Sequence, residues 1–555
     1  MKKFLAAMLA VALGASLFCG CTNGDKGGKG EEGEGPEIIQ PLPPQPEPPQ
    51  PELPNTGGGY VKGRISDFSE YENTDAYRVV TTAEELVSAI VDAKYHYTNV
   101  WDDETQTYTQ VPADNYTQEN FEGKVHVIEI ANDLNLGYNV LSSTVINSGV
   151  VEDFSRKTMS KHVNDYNSDM VTENGISQIK VENTSNLLIY SKTGVKLTHC
   201  GFKLTSDNNV VFRNLEMDEI WQWEDSPLNT TSAVGDYDFH GWAYFKIAFC
   251  GYIWIDHCTF GKSYDGQIDV SNPEYSANAG VAFRAPYGAD GTSAVHISWC
   301  NFNAGSDDEE GYLYKMMSDI EEDYNQGGNK ALYYKALRDG GATFEEILYG
   351  LAIPQKKGFL CGDSGDDYAY NLKLQISFAN CTFKNIEDRL PKLRGGNAYM
   401  YNCVIDNSQY YGYRTILRGK NAASLVSAVK SNWKCALVSQ GIVCGNGGSV
   451  KAENCIYRGI EYLLKNNDSN SADKVVGGYQ LINCSYQKGA NDTVYVGSSS
   501  EAGNGFTNDT PAKLKTENFA WHTENGEQPF TPDVVALDSL EEHLAAYIGA
   551  RSDFE

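Results

Sequence analysis

The sequence predicts an all-β fold in which the chain winds into a parallel β-helix. Short runs of alternating apolar residues recur along the chain, as in Tyr252–Asp256, and this period of two is typical of strands. Each run ends at a cysteine that is followed two positions later by an apolar residue. The shortest such interval, from Cys381 to Cys403, is about the length of one β-helix coil. The repeat therefore indicates a solenoid of stacked coils.

The repeated cysteines are interpreted as a stack of buried thiols inside this solenoid. The same position on successive coils points inward, and cysteine is small and apolar enough to stack there. No CxxC pair occurs, so a zinc site is disfavoured, whereas a disulfide framework remains the alternative. The cysteines of the repeat are Cys200, Cys258, Cys300, Cys381, Cys403, Cys455 and Cys484.

Composition limits the possible partners of the chain. Its 555 residues carry 74 acidic and 44 basic side chains, which gives a net charge of −30. Nucleic acids and anionic membrane surfaces need a basic footprint, so neither is expected as a direct partner. The apolar fraction of 41% is sufficient for a large core, so most of the chain should be globular.

The amino terminus has the pattern of a bacterial lipoprotein signal. Residues 1–20 form a basic start and an apolar run too short to span a bilayer, and Gly20 before Cys21 resembles a lipobox. Cys21 would be acylated, although an ordinary cleaved signal is the alternative. Residues 21–57 are rich in Gly, Glu and Pro and predict a solvated linker. We therefore expect an extracytoplasmic, monomeric lipoprotein on a bacterial outer membrane or cell surface, held by lipid alone.

Residues 58–555 are predicted to form one β-helix domain. Helices are expected to cover its first coil and to form an insertion between coils. A capping box at Thr82–Glu85 opens a helix that we expect to cover the first coil. Helical periodicity replaces the β pattern at about residues 309–355 and includes a second capping box at Thr343, so this stretch is a helical insertion.

The carboxyl-terminal part, residues 408–555, still contains the cysteine repeat. It is assigned to later coils and a carboxyl-terminal cap, with a helix opening at Ser539.

Two clusters suggest chemistry. Asp265 and Asp269 lie four residues apart around a glycine, so their carboxylates could converge on one hard cation, although a solvated acidic turn is the plainer interpretation. Arg389 and Arg394 belong to a cationic cluster in an acidic chain, which suits an anion between them or a salt-bridged surface strand.

Two further motifs are given structural or negative interpretations. Asp256 and His257 could be a catalytic pair, but a hydrogen-bonded polar ladder that supports the coil is favoured. Residues 362–365 read GDSG, as in the serine loop of trypsin-like proteases, but the flanking residues do not continue that pattern. The chain is not expected to be a protease.

Four phrases follow one another along the chain, namely WIDHCTF, YDGQID, HISWCNF and RLPKLR. Their order resembles that in polysaccharide lyase family 1, the pectate lyases, and the resemblance runs from about Tyr77 to Asn407. It implies a right-handed parallel β-helix and an enzyme that cleaves polygalacturonate, or de-esterified pectin, by calcium-assisted β-elimination. The expected products are 4,5-unsaturated oligogalacturonides, and an alkaline optimum is expected because the family's base is an arginine.

The resemblance also implies residue roles. Arg389 matches the family's Brønsted base, and Arg394 and Lys357 match residues that bind substrate carboxylates, with Lys356 as an alternative in register. Asp265 and Asp269 match ligands of the cofactor Ca²⁺.

One position departs from the family pattern. A further calcium aspartate is replaced by Ala243, and Asp236 or Asp238 is a candidate to supply the missing oxygen. The departure keeps open a pectin-binding lipoprotein without catalysis on the same scaffold. A pectin lyase that acts on methyl-esterified chains without calcium is a third possibility.

Overall fold

The structure is a computed structural model, and the described part of the chain has several gaps. It comprises residues 57–65, 67–102, 104, 107–155, 173–223, 241–271, 293–328, 331–362, 371–424, 438–467, 475–508, 513–523 and 525–554. The predicted signal peptide, Cys21 and the linker up to residue 56 lie outside the described residues, as do Asp236 and Asp238. Within the described residues, no helix is long and apolar enough to cross a membrane.

Three ten-stranded sheets wind around a common core, as expected for a parallel β-helix. We call them the front, back and side sheets. Neighbouring strands within each sheet are parallel, except at the edge strands Val151–Asp153 and Tyr495–Gly497.

The front sheet contains, in spatial order, Val151–Asp153, Ser177–Glu182, Cys200–Thr205, Phe245–Ala248, Gly266–Ser271, Gln355–Cys361, Lys392–Arg394, Gln440–Gly445 and Tyr462–Asn466, with Ile386–Asp388 beside Gln355–Cys361. The back sheet contains Tyr77–Val80, Val127–Ile130, Ser185–Tyr190, Asn208–Arg213, Tyr252–Asp256, Ser293–Ser298, Leu374–Ala379, Asn397–Tyr401, Ser449–Glu453 and Gly478–Ile482. The side sheet contains Leu134–Asn135, Lys196–Thr198, Glu216–Asp218, Thr259–Phe260, Asn301–Phe302, Thr382–Lys384, Val404–Asp406, Ile456–Arg458, Cys484–Gln487 and Tyr495–Gly497. Tyr97–Asp102 and Thr107–Pro112 form a separate antiparallel hairpin.

The turn from the back sheet to the side sheet repeats from coil to coil. Its corner residue has positive φ, a conformation that asparagine tolerates better than most residues. Asparagines on adjacent coils also bond to each other, as where Asn402 Nδ2 donates to Asn380 Oδ1 at 2.9 Å. The corner residues are Asn214, His257, Trp299, Asn380, Asn402, Asn454 and Asn483.

The predicted cysteine stack follows this turn. Cys258, Cys300, Cys381, Cys403, Cys455 and Cys484 come directly after the corner residues and are fully buried. Cys200 is also buried but lies at a different turn, between the side and front sheets. All ten cysteines of the described residues are free thiols, so the described chain has no disulfide framework.

The first coil is covered by the predicted helix, Ala83–Ala93, whose buried face joins the core. Thr82 Oγ1 accepts from Glu85 N at 3.2 Å, as a cap should. The Glu85 carboxylate accepts a hydrogen bond from Thr81 N at 2.7 Å, whereas a capping box requires one from Thr82 N. The second bond of the predicted capping box is therefore made one residue earlier than expected. A short helix, Ser143–Ile146, packs beside it.

The helical insertion is present and adjoins the front sheet. It consists of Tyr312–Asn325, Leu332–Asp339 and Phe344–Ile347, then a π-helical turn, Leu348–Ala352. The capping box at Thr343 is formed in full. A helix that sequence reasoning assigned to coils, Tyr411–Ser424, packs against the π-helical turn. The insertion therefore ends three residues before the strand Gln355–Cys361.

Both ends of the described chain pack along the coils. Near the amino end, Gly59–Val61 and Ser69–Tyr71 are short 3-10 helices, and Tyr60 N donates to Ser377 Oγ of the back sheet at 3.2 Å. A third 3-10 helix, Thr516–Asn518, begins the carboxyl-terminal tail.

The tail returns towards the early coils. Asn402 Nδ2 donates to Asp533 O at 2.8 Å, and Arg551 N donates to Asn214 Oδ1 at 2.6 Å. The helix Leu540–Ala545 packs on the side of the coils at Val404 and Ile456. The Ser539 side chain makes no cap and bonds to Ala536 O instead. The helix thus does not cover the last coil.

Candidate active site

Four charged residues predicted from the sequence meet on the front sheet. Lys357 Nζ lies 2.8 Å from Asp265 Oδ1, and Arg389 Nη1 lies 3.3 Å from Asp269 Oδ1. Arg389 Nη1 is also 3.7 Å from Asp265 Oδ1. The four side chains are between 9% and 21% exposed, so they are accessible to a ligand but largely desolvated.

The register of three neighbouring strands produces this cluster. Gly266 pairs with Lys357, and Lys357 pairs with Asp388, which precedes Arg389. A Cβ added to Gly266 would lie 2.7 Å from Asp269 Oδ1 and 3.1 Å from Arg389 Nη1. Glycine at this position therefore leaves the space into which the carboxylate and the guanidinium project.

Arg389 occupies an unusual backbone position. Its φ is +64°, which is rare for a residue with a side chain. Arg389 N donates to Asp388 Oδ1 at 2.7 Å, and Arg389 O accepts from Phe359 N at 2.8 Å. These two bonds hold the backbone of Arg389 in this conformation, and the contacts of Nη1 hold its guanidinium at the aspartates.

The two carboxylates have opposite pKa shifts. Burial opposes ionisation of Asp265, but the charges of Lys357 and Arg389 outweigh it and hold the pKa of Asp265 below its ordinary value. Burial raises the pKa of Asp269, and the Asp265 charge adds to this effect despite Arg389. Burial is thus the largest effect on both carboxylates, and the neighbouring cations outweigh it only at Asp265.

These residues fit a partial calcium site. Carboxylate oxygens are hard ligands of the kind Ca²⁺ prefers, and glycine at position 266 leaves room for the Asp269 carboxylate on the same side of the sheet as Asp265. Ca²⁺ takes about six to eight oxygens. Among the described residues, no group of three or more His, Cys, Asp or Glu could hold a metal. Asp265 and Asp269 would thus need water or substrate oxygens to complete the coordination.

Ala243 lies beside this pair. It has no exposed surface, and its neighbours bond to the next coil, with Asp265 N donating to Trp242 O and Tyr244 N to Gln267 O, both at 3.0 Å. The position therefore adjoins Gly266.

The structure separates the two candidate lysines. Lys357 contacts Asp265, whereas the positive charge of Lys356 acts on two buried groups, Lys262 and Glu387. The geometry thus supports Lys357 over Lys356 as the residue at the carboxylates.

Arg394 shares a strand with Lys392, a residue that sequence reasoning did not select. Burial and the charges of Arg389 and Arg394 lower the pKa of Lys392, against the opposing charge of Asp388. The positive charges of Arg389 and Arg394 thus both act on Lys392.

The Asp256–His257 pair lies elsewhere and supports the coil. Asp256 Oδ2 accepts from Arg213 Nε at 2.9 Å and lies 3.0 Å from His257 Nδ1. These residues belong to the back sheet and its corner turn, and the His257 ring stacks on Trp299. The favoured interpretation as a polar ladder agrees with this arrangement. In the GDSG phrase, only Gly362 lies within the described residues.

Comparisons with known proteins agree with this architecture. A family model described as pectate lyase matches residues 319–454. Pectate lyase B of Paenibacillus amylolyticus is 30% identical to this chain over 341 residues, which are 61% of this chain and 76% of that protein. This chain belongs to the pectate lyase family.

Two further relatives extend the comparison. A pectate lyase of Bacillus subtilis strain 168 is 25% identical over 243 residues, 42% of this chain and 44% of that protein. The solved structure of a pectate lyase from Paenibacillus sp. 0602 has a TM-score of 0.64 and 25% identity, and the alignment covers 90% of this chain and 94% of that chain. The pectate lyase resemblance and the β-helix prediction are confirmed, and the protein is a polysaccharide lyase.

Proposed function

We propose that this pectate lyase cleaves polygalacturonate by calcium-assisted β-elimination and releases 4,5-unsaturated oligogalacturonides. The observation that carries the proposal is the convergence of Arg389 and Lys357 on the Asp265–Asp269 pair, in a partly exposed site on the front sheet.

The charge of the site suits a polyanion. Every sugar of polygalacturonate carries a carboxylate, which a surface of net charge −30 would repel. Lys357, Arg389, Lys392 and Arg394 concentrate positive charge in one place on this acidic protein. They allow an anionic chain to bind there.

The reaction removes the proton at C5, next to the C6 carboxylate. Arg389 would accept this proton, the C–H electron pair would form the C4=C5 double bond, and the C4–O4 bond would break, with the leaving oxygen taking a proton from water. Lys357 and Arg394 would bind the C6 carboxylate and stabilise the charge that develops on it. A Ca²⁺ held by Asp265 and Asp269 supplies, when bound, further positive charge at that carboxylate.

The pH dependence follows from the base. Arginine side chains ordinarily have pKa values above about 12, so the neutral form needed to accept a proton is scarce at pH 7. Activity is therefore expected to rise towards alkaline pH.

The test is the ultraviolet absorbance of the unsaturated product during incubation with polygalacturonate at alkaline pH. We expect absorbance to rise with calcium and to stop with excess chelator. Arg389→Ala should lower the rate by at least about a hundredfold. Arg78→Ala removes an arginine on the back sheet and serves as the matched control.

Two other outcomes would redirect the proposal. If folded protein binds polygalacturonate but releases no product, the chain would be a pectin-binding lipoprotein. The alanine at position 243 motivates this hypothesis. Equal activity in chelator on methyl-esterified chains would indicate a pectin lyase.

A further inference from the structure

The front sheet carries a row of lysines at one register position. Lys180 pairs directly with Lys203, and Lys203 pairs directly with Lys246. On the following strands the same register position is occupied by Asp269, Leu360 and Lys392. The last two strands have Val443 and then Lys465 at this position. The lysine row comprises Lys180, Lys203, Lys246, Lys392 and Lys465.

These lysines point away from the core. In the strand Cys200–Thr205, Phe202 and Leu204 have no exposed surface, whereas Lys203 between them is partly exposed. Because side chains alternate between the faces of a strand, Lys203 lies on the outer face. The neighbouring strands have the same apolar–Lys–apolar order around Lys180 and Lys246.

Such a row is unfavourable without a ligand. Like charges directly opposite each other on adjacent strands destabilise a sheet. Lys180 Nζ forms an ion pair with Glu152 Oε1 at 3.5 Å. Within the described chain neither Lys203 nor Lys392 forms an ion pair. Glu152 beside Lys180 and Asp269 opposite Lys246 therefore compensate only part of the charge of the row.

The position of the row connects it to the candidate active site. Asp269 is itself a member of the register, with Lys246 opposite it on one side. Lys392 lies two strands from Asp269 on the other side. The positive charges therefore continue past the catalytic cluster in both directions across the sheet.

We propose that the lysine row binds the carboxylates of polygalacturonate on both sides of the bond that is cleaved. This inference rests on the proposed function. Neighbouring strands are about 4.8 Å apart, a distance of the order of one sugar ring, so a chain lying across the strands presents repeated carboxylates to repeated lysines. Lys180 and Lys203 form the arm farthest from the aspartates on the amino-terminal side.

Each exposed contact of this kind is weak and is screened by salt. The row should therefore matter most for long substrates, which engage several lysines together. Affinity for the polymer should fall steeply with salt, whereas a trimer confined to the catalytic cluster should respond less.

The test compares two double variants with equal charge changes. Lys180→Gln/Lys203→Gln shortens the row, and Lys124→Gln/Lys384→Gln removes two exposed lysines away from the front sheet. We expect the first variant to raise KM for polygalacturonate about threefold to tenfold with a smaller change in kcat, and to reduce its salt dependence. The control should match the wild type.

A binding assay separates this inference from the proposed function. Retardation in a native gel that contains polygalacturonate should weaken in the first variant, and a gel with fully methyl-esterified pectin should not distinguish the proteins. If the wild type cleaves but both variants are retarded equally, the lysine row is not a binding site and the proposed function stands. If the wild type is retarded through these lysines but yields no product, the row stands and the proposed function fails.

Discussion

Lys357 Nζ lies 2.8 Å from Asp265 Oδ1, so the ammonium predicted to bind substrate also neutralises a predicted calcium ligand. A cation bound at Asp265 would therefore compete with Lys357 for the same oxygen. The two predicted roles of Lys357, towards the carboxylate of the substrate and towards Asp265, can therefore be separated by experiment.

Lys357→Gln should affect catalysis and metal binding in opposite directions. Activity should fall because a charge that stabilises the transition state is lost. Calcium affinity should rise because Asp265 loses its counter-charge. Steady-state kinetics and calorimetric titration with calcium, with Lys357→Arg as the charge-preserving control, measure the two effects. A loss of calcium affinity would contradict this interpretation.

Ala243→Asp should strengthen calcium binding. The position adjoins Gly266, and site affinity follows the number of charged ligands. We expect the calcium Kd to fall by about tenfold, measured by titration of both proteins. Ala243→Asn offers an oxygen of similar size without the charge and should produce a smaller gain. Equal Kd values for all three proteins would show that position 243 does not reach the site.

Acid destabilisation should depend on His296. Burial lowers the pKa of His296 from 6.5 to about 4, against the opposing charge of Asp256, and its Nδ1 lies 2.8 Å from Ser377 Oγ. The folded state therefore binds fewer protons than the unfolded state between these values, so this contribution to stability is present above pH 6.5 and is lost as pH falls towards 4. The loss amounts to about 3 kcal/mol.

Denaturant unfolding at several pH values checks this prediction. His296→Gln should flatten the decline in unfolding free energy between pH 6.5 and 4. His543→Gln replaces a partly exposed imidazole and should leave the decline unchanged. Parallel curves for the wild type and His296→Gln would rule out His296 as the source.

Cys21→Ser should release the protein from the membrane fraction of a bacterial host. The sequence predicts Cys21 as the acylated residue, and a serine cannot take its place in a thioether. Fractionation and labelling with a fatty acid measure the change, and Cys19→Ser, two residues earlier, is the matched control. Membrane retention of Cys21→Ser would favour an ordinary signal or another anchor.

The sequence was sufficient to predict the coil and the residues around Asp265. The corner turn needs positive φ and the core needs small buried groups, so asparagine and cysteine recur at fixed places in the sequence. The spacing of Asp265 and Asp269 is likewise local, since both belong to one turn and strand. Features of this kind are visible in one sequence because a single coil determines them.

The lysine row and the returning tail could not be predicted in the same way. The alternation around Lys203 indicates a face of a strand, but only the register shows that Lys180 and Lys246 are its neighbours. Loop lengths between coils vary, so register cannot be counted from the sequence. The contact of Arg551 with Asn214 likewise joins residues that no local pattern connects.

That contact has a consequence for the order of assembly. Asn214 and Arg551 are 337 positions apart, and Asn214 Nδ2 also donates to Arg551 O at 2.9 Å. Because contacts so distant along the chain form slowly, attachment of the tail should be a late event in maturation. A truncated chain that ends before residue 513 would retain the residues of the candidate active site. It would lack the contacts by which the carboxyl-terminal tail joins the early coils.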